Sequence, residues 1–284
     1  MNILVTGGAG FVGTNLIKRL LKDGHNVVSL DNYSTGTEEN HQEGCKYIYA
    51  DIRDVIDFSY FMEKPDVIYH LGAIARIQPS FVNPAPTLET GILGTMNVLE
   101  WVRELENKPK LIFAGSSSVH SGKLKNPYTF SKNVADDMCM LYREHFDVDV
   151  SICRFYNVYG PHQLTEGEYC TVVGIFERQY KEGVELTITG DGEQRRDFTH
   201  IDDIVEGLIL TSESETSHKT IELGRGQNHS INELAEMFGC GFTYIPERPG
   251  EAKITLCDTS EALIKIGYKP KVNIEDYVKE IINE

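Results

Sequence analysis

Short unbroken apolar runs alternate with longer segments of helical period over the first half of the chain. The runs are Ile3 to Val5, Val27 to Leu30, Tyr47 to Tyr49, Val67 to His70 and Leu111 to Phe113. Strands written as continuous Val/Ile/Leu stretches, without apolar/polar alternation, are covered by helices on both faces, so this rhythm predicts an α/β fold with a doubly wound parallel sheet. Helices are expected directly after Gly13, over Leu88 to Arg103 and over Tyr128 to His145. A further strand is expected from Val148 to Cys153, ending in Arg154-Phe155-Tyr156-Asn157. Ligands of such folds bind beyond the carboxyl ends of the strands.

After residue 156 the rhythm changes to shorter elements punctuated by Gly190-Asp191-Gly192 and Arg248-Pro249-Gly250. Two units are therefore expected: residues 1–156, joined by a later strand near 220–224 that returns to the sheet, and a smaller C-terminal α/β unit, 157–284, packed over the ligand edge. The polar stretch Thr211 to Thr220 reads as a surface loop.

Composition narrows the function classes. The 284 residues are 40% hydrophobic, enough to fill such a core without staples. Six scattered cysteines with no CxxC pair point to reduced thiols rather than disulfides or a metal site, and hence to the cytoplasm. The start of the chain runs straight into Asn2-Ile3-Leu4-Val5 with no basic leader, and no apolar run approaches membrane-spanning length. A net charge of -16 with no Lys/Arg block argues against nucleic acid. A small anionic ligand held by a few arginines and helix N-termini remains compatible.

The first strand leads into Thr6-Gly7-Gly8-Ala9-Gly10-Phe11-Val12-Gly13 and then a helix. In this GxxGxxG spacing, Gly7 permits a tight turn, Gly10 lets the backbone approach a pyrophosphate, and Gly13 allows close helix-on-strand packing, as in Rossmann dinucleotide sites. Asp31 ends the second strand about 20 residues on, where a carboxylate accepts from the adenosine ribose hydroxyls and repels a 2′-phosphate, which favours NAD over NADP. A strand-end turn residue is its bland alternative. Asp51, after the third strand, is read as a partner of the adenine amino group or as a capping residue.

Tyr128-Thr129-Phe130-Ser131-Lys132 forms a YxxxK pair whose ends share one helix face. A phenol with its usual pKa of about 10 is a poor base at neutral pH, so a nearby ammonium and a cationic nicotinamide are needed to favour phenolate. Ser116 closes the fifth strand within Gly115-Ser116-Ser117-Ser118-Val119 and is the candidate hydrogen-bond partner of the reacting oxygen, with Ser117 and Ser118 as competitors. Alone, YxxxK is more often a solvated helix face.

With these motifs in place the chain resembles the extended short-chain dehydrogenase/reductases, and among them the nucleotide-sugar 4-epimerases. The resemblance rests on TGGAGFVG at Thr6, LDNYSTG at Leu30, HLGAIA at His70, GSSSV at Gly115, YTFSK at Tyr128, RFYNVYGP at Arg154, GDGEQRRDFTHIDD at Gly190 and RPGE at Arg248. It implies an NAD enzyme in which Tyr128, Ser116 and Lys132 oxidise a sugar at C4 to a ketone that is re-reduced on its other face. The cofactor contacts it implies are Gly7, Gly10, Phe11, Val12, Gly13, Asp31, Asn32, Ser34, Asp51, Ile52, Leu71, Ala73, Ala75, Tyr128, Lys132 and Tyr156. It assigns Asn157, Arg196 and Arg248 to the diphosphate, Val172, Thr187 and Thr189 to the base, and Thr255 to the sugar 2-substituent, where a small residue leaves room for an N-acetyl group. The substrate expected is a UDP-hexose or UDP-N-acetylhexosamine, and the assembly a homodimer through the Leu88 to Arg103 and Tyr128 to His145 helices.

Departures from the family pattern are a short segment between Ser116 and Tyr128, reading Val119-His120-Ser121-Gly122, and Gly91 in place of the usual asparagine. Ser117 and Ser118 stand where a 4,6-dehydratase carries an Asp-Glu pair, and a UDP-glucuronate decarboxylase also has an acid after its serine. A one-direction 4-keto reductase and a non-catalytic NAD-binding regulatory protein are the competing readings.

Overall fold

The computed structural model describes residues 1–54 and 61–284. β1 (Asn2–Thr6) leads through α1 (Phe11–Lys22) to β2 (Asn26–Asp31), β3 (Lys46–Tyr49) and β4 (Val67–His70). A helical stretch follows in pieces, α2 (Ile77–Val82), α3 (Pro84–Leu88) and, beyond a π-helical turn at Glu89–Gly94, α4 (Thr95–Glu104). Next come β5 (Lys110–Ser116), α5 (Pro127–His145), β6 (Val150–Phe155) and β7 (Val158–Tyr159). The remainder runs α6 (Val172–Lys181), β8 (Leu186–Thr189), β9 (Arg195–Arg196), β10 (Thr199–His200), α7 (Ile201–Glu213) and β11 (Thr220–Leu223). It ends with β12 (His229–Ser230), α8 (Ile231–Phe238), β13 (Phe242–Ile245), α9 (Ser260–Ile266) and α10 (Ile274–Asn283).

Seven of these strands form one sheet in the order β11-β6-β5-β4-β1-β2-β3, with every neighbouring pair parallel. The chain winds outward from β1 to β3, then returns to β4 and winds the other way, so the switch point lies between β1 and β4. A crevice opens there beyond the strand ends, and ligands of doubly wound sheets occupy it. Successive residues of each strand feed opposite cores, which is why the strands read as unbroken apolar runs. Leu4, Ile68, Leu111 and Ile152 pack with Val98 and Leu99 of α4 and Ala135 and Cys139 of α5. Their neighbours Ile3, Val67, Ile112 and Cys153 pack with Leu16 and Ile17 of α1 and Ile204 and Leu208 of α7. A third core, with Tyr159, Phe176, Leu186, Ile231, Phe238 and Val278, lies in the later part of the chain. Among the described residues no helix is long and apolar enough to cross a membrane.

Three boundaries differ from expectation for identifiable reasons. The Leu88 to Arg103 helix is interrupted by the π-helical turn, where Gly91 and Gly94 admit Ser131 and Ile52 so closely that an added Cβ would lie 2.9 Å and 2.7 Å from them. β6 starts at Val150 rather than Val148, because the Val148 N–H turns back to the Tyr142 carbonyl at 3.4 Å and closes the end of α5. The Thr211 to Thr220 loop is shorter than expected, since α7 continues to Glu213. Thr211 and Ser212 donate to the carbonyls of Gly207 (2.7 Å) and Ile209 (2.8 Å), and this satisfies two hydroxyls inside a buried helix.

Candidate active site

The glycine turn after β1 is built by close backbone approach. Gly7 has φ +74°, and a Cβ there would stand 2.8 Å from the Gly72 nitrogen; one on Gly13 would stand 2.3 Å from the Gly7 oxygen. Gly10 is different: its added Cβ meets nothing nearer than 3.4 Å, so this residue faces open cavity. Gly10 also caps α1 without any side-chain bond, and no acidic residue occupies the first turn. The leading N–H groups and the positive end of the helix dipole are thus available to an anion. Asp31 is fixed by the Ala9 N–H at 2.9 Å and the Tyr33 N–H at 2.8 Å, one on each carboxylate oxygen. Each oxygen retains acceptor capacity, which suits ribose hydroxyls. This cradle fits NAD.

A cavity of about 480 Å³ extends from that turn across the strand ends to the later part of the chain. Its wall includes Gly7, Gly10, Phe11, Val12 and Gly13, then Asp31, Asn32 and Ser34, then Ile52, Leu71, Ala73 and Ala75. Three residues expected at the cofactor lie outside the wall. The Asp51 carboxylate is gripped by Arg53 at 2.6 Å and by Asn32 at 2.9 Å, which holds its pKa down at about 2. Tyr156 is buried with its ring 6.5 Å from that of His120. Lys132 is buried behind the wall, where its Nζ donates to the Ala114 carbonyl at 2.7 Å and stands 4.9 Å over the Phe113 ring.

The catalytic candidates are set by the start of α5. Asn126 caps the helix by accepting from the Thr129 N–H at 2.7 Å, and Pro127 follows at the first helical position, where its missing N–H costs nothing. Tyr128 is thereby placed in the first turn, in the cavity wall, with its N–H donating to Ser80 Oγ at 3.3 Å. Ser116, Ser117 and Ser118 all reach the wall. Of the three, Ser116 acts on the Tyr128 phenol; its Oγ donates to Ser118 Oγ at 3.0 Å and accepts from the Ser118 N–H at 3.2 Å. Burial pushes the Tyr128 pKa up, while Ser116 and the positive charge of Arg76 draw it back. Burial brings Lys132 down to about 8, opposed by the charge of Asp136. Asp136 is itself paired with Arg154 at 2.8 Å.

The remaining candidates gather at the far end of the cavity. Asn157, Val172, Thr187, Thr189, Arg196, Arg248 and Thr255 all line it. Asn157 Nδ2 donates to Thr255 Oγ1 at 2.8 Å, and that hydroxyl also accepts from the Asp197 N–H at 3.1 Å, so Thr255 positions Asn157. Arg196 is buried and paired with Glu251 at 3.2 Å. Val172 opens α6 just after its Thr171 cap. The Thr187 hydroxyl is already engaged by Gln179 at 3.0 Å.

Two features escape sequence reasoning. Arg76, on the segment after β4, reaches the cavity and donates through Nε to the Tyr169 carbonyl at 2.6 Å. The short segment before Tyr128 does not leave the cavity gaping, because it is tied to the RPGE segment: Lys125 Nζ donates to the Glu251 carbonyl at 2.9 Å and Asn126 Nδ2 to the Gly250 carbonyl at 3.2 Å. Both features join residues more than ninety positions apart, for which a single sequence carries no local signal.

Comparison with known proteins agrees with this geometry. The model of the NAD dependent epimerase/dehydratase family matches residues 3–224. A putative UDP-glucose 4-epimerase of Methanocaldococcus jannaschii is 30% identical over 99% of this chain and 97% of its own. UDP-glucuronic acid decarboxylase 1 of Xenopus tropicalis is 31% identical over 99% of this chain and 71% of its own. The crystal structure of Thermotoga maritima UDP-glucose 4-epimerase with UDP-glucose superposes with a TM-score of 0.93 at 29% identity, covering 100% of this chain and 98% of that one.

Proposed function

This chain belongs to the NAD-dependent epimerase/dehydratase family, and we propose that it interconverts the C4 epimers of a UDP-hexose or UDP-N-acetylhexosamine through a 4-keto sugar. The observation that carries the reading is one continuous cavity whose wall holds the glycine cradle, Ser116 and Tyr128, and Asn157, Arg196 and Arg248.

When bound, the nicotinamide supplies hydride acceptance and return at the sugar C4. The protein does the rest. Tyr128 takes the proton of the 4-hydroxyl, Ser116 holds the reacting oxygen, and the ammonium of Lys132 adds positive charge behind the strand end. Arginines 196 and 248 offer planar forks suited to the diphosphate, and Asn157, braced by Thr255, completes that grip. The unpaired N–H groups at the start of α6 face the base beside Thr187 and Thr189. Uridine as the base is in keeping with the two named relatives. Ser117 follows Ser116 where a decarboxylating enzyme would carry an acid.

In this reading residues 1–156 with β11 hold the cofactor, and most of 157–284 holds the nucleotide sugar. A homodimer through α4 and α5 completes the proposal. Leu93 and Met96 (each 39% exposed), Leu141 (49%) and Phe146 (42%) form its apolar contribution. Six free thiols fit a reducing cytoplasm. The test is to incubate the pure protein with UDP-, dTDP- and GDP-sugars and resolve the products by NMR. A 4-epimer from a UDP-sugar without added cofactor is the expected result; a requirement for exogenous reduced nicotinamide would convert the reading to a 4-keto reductase.

A further inference from the structure

The cavity holds three arginines in its wall: Arg76, Arg196 and Arg248. Arg196 has Glu251 as its carboxylate partner, and it and Arg248 belong to the diphosphate end described above. Arg76 comes from a different segment, and its charge acts on the Tyr128 phenol. It follows β4, the strand next to β5, whose end carries Ser116. The segment it opens continues into α2, where Ser80 accepts from the backbone N–H of Tyr128. Arg76 therefore belongs to the sugar end.

Among the described residues no carboxylate lies within ion-pair distance of Arg76. Its Nε is fixed on the Tyr169 carbonyl at 2.6 Å, while its two terminal nitrogens have no described protein partner. Three acids share the cavity wall: Asp31 is held at the cofactor cradle, Glu251 is paired with Arg196, and Glu168 is solvent-exposed. Arg76 is half-buried, and a guanidinium partly withdrawn from water without a counter-charge is stabilised when a ligand supplies one. Anchoring by Nε leaves both terminal nitrogens, with four N–H donors, for a ligand in the cavity that Arg76 lines, and a pair of nitrogens matches a carboxylate better than a single hydroxyl. The burial of Arg76 also presses its own pKa below the ordinary arginine range, as expected for a cation lacking its partner.

We propose that Arg76 recognises a carboxylate at C6 of the sugar, so that the preferred substrate is a nucleotide hexuronate rather than a neutral hexose. The proposal rests on the nucleotide-sugar reading of the cavity and narrows it to an acidic sugar. It explains why an arginine stands beside the phenol: a substrate carboxylate near C4 would raise the cost of ionising Tyr128, and the paired cation cancels that effect.

Binding separates this proposal from the activity itself. In the full-length Tyr128→Phe protein with its retained NAD, UDP-glucuronate and UDP-N-acetylglucosaminuronate are titrated calorimetrically against UDP-glucose and UDP-N-acetylglucosamine. At least tenfold tighter binding of the acidic sugars is expected. Adding Arg76→Gln should bring that ratio to near one, and Arg76→Lys should restore part of it, with NAD content and melting temperature checking the fold of each variant. No preference for the acidic sugars, or an equal loss of affinity for both classes with Arg76→Gln, would overturn the proposal. Because substrate binding alone is read, failure of any sugar to epimerise in the unsubstituted protein counts against the epimerase reading only.

Discussion

The two ends of the cavity are made in opposite ways. At the cofactor end, a run of seven residues from Gly7 to Gly13 makes the phosphate cradle through backbone shape: added Cβ atoms at Gly7 and Gly13 would strike main-chain atoms within 2.8 Å. At the sugar end, Arg76, Ser116, Tyr128, Asn157 and Thr255 arrive on five separate segments and act through side chains. A cradle of close-packed backbone bars side chains at Gly7 and Gly13 and leans on few residues outside the turn, such as Gly72. A wall of side chains can be changed one residue at a time, so the chemistry of a shared fold diversifies at that end.

The sharpest way to break this contrast is to remove the phenol. Tyr128→Phe should lower kcat by about 10²- to 10⁴-fold, the range of general acid-base catalysis, with NAD still bound, as measured by NMR turnover and by the absorbance of cofactor released on denaturation. Gly13→Val should do the reverse. Its side chain collides with the Gly7 carbonyl, and a loss of about 3 kcal/mol or more together with loss of NAD is expected from calorimetric melting. Intact cofactor binding in that variant would sink the account of the cradle.

A finer probe is Asp136→Asn. The Asp136 carboxylate favours the ammonium of Lys132, so without it the Lys132 pKa falls below its present value near 8. The alkaline limb of kcat/KM should then move to lower pH, by about one unit for a charge at this range, and a limb that stays put or moves upward would refute the role of that ammonium. Smaller still, Asn126→Ala removes a helix cap and a tie to Gly250, with an expected loss of about 1–2 kcal/mol in thermal melting. Thr255→Val, nearly isosteric, frees Asn157 and should raise KM only a few-fold while leaving kcat close to its starting value.

What the sequence discloses follows the same division. The strand runs, the glycine turn and Asp31 are legible because each depends on residues that are neighbours along the chain. That Ser116 and Tyr128 share one cavity wall is reached through spacing within known motifs. Arg76 is invisible: its arrival depends on β4 lying beside β5 and on a carbonyl 93 positions away. The buried placement of Lys132 against Ala114 likewise follows from how α5 packs on β5, which the YxxxK spacing does not state. Gly91 looks like a lost functional side chain in the sequence, yet in three dimensions it is the gap that Ser131 fills.

Asn126 has one further implication. A single amide both starts the helix that carries Tyr128 and fastens the RPGE segment that carries Arg248, so it works as a surveyor's peg between those two side chains. The stretch just ahead of it is held by lysine tips, Lys123 on Asp137 and Lys125 on the Glu251 carbonyl, with Leu124 85% exposed and nothing within 4 Å of a Cβ built on Gly122. Insertions or deletions around Gly122 would lengthen or trim slack cord while the peg at Asn126 kept both of its bonds, leaving the span between Tyr128 and Arg248 unchanged.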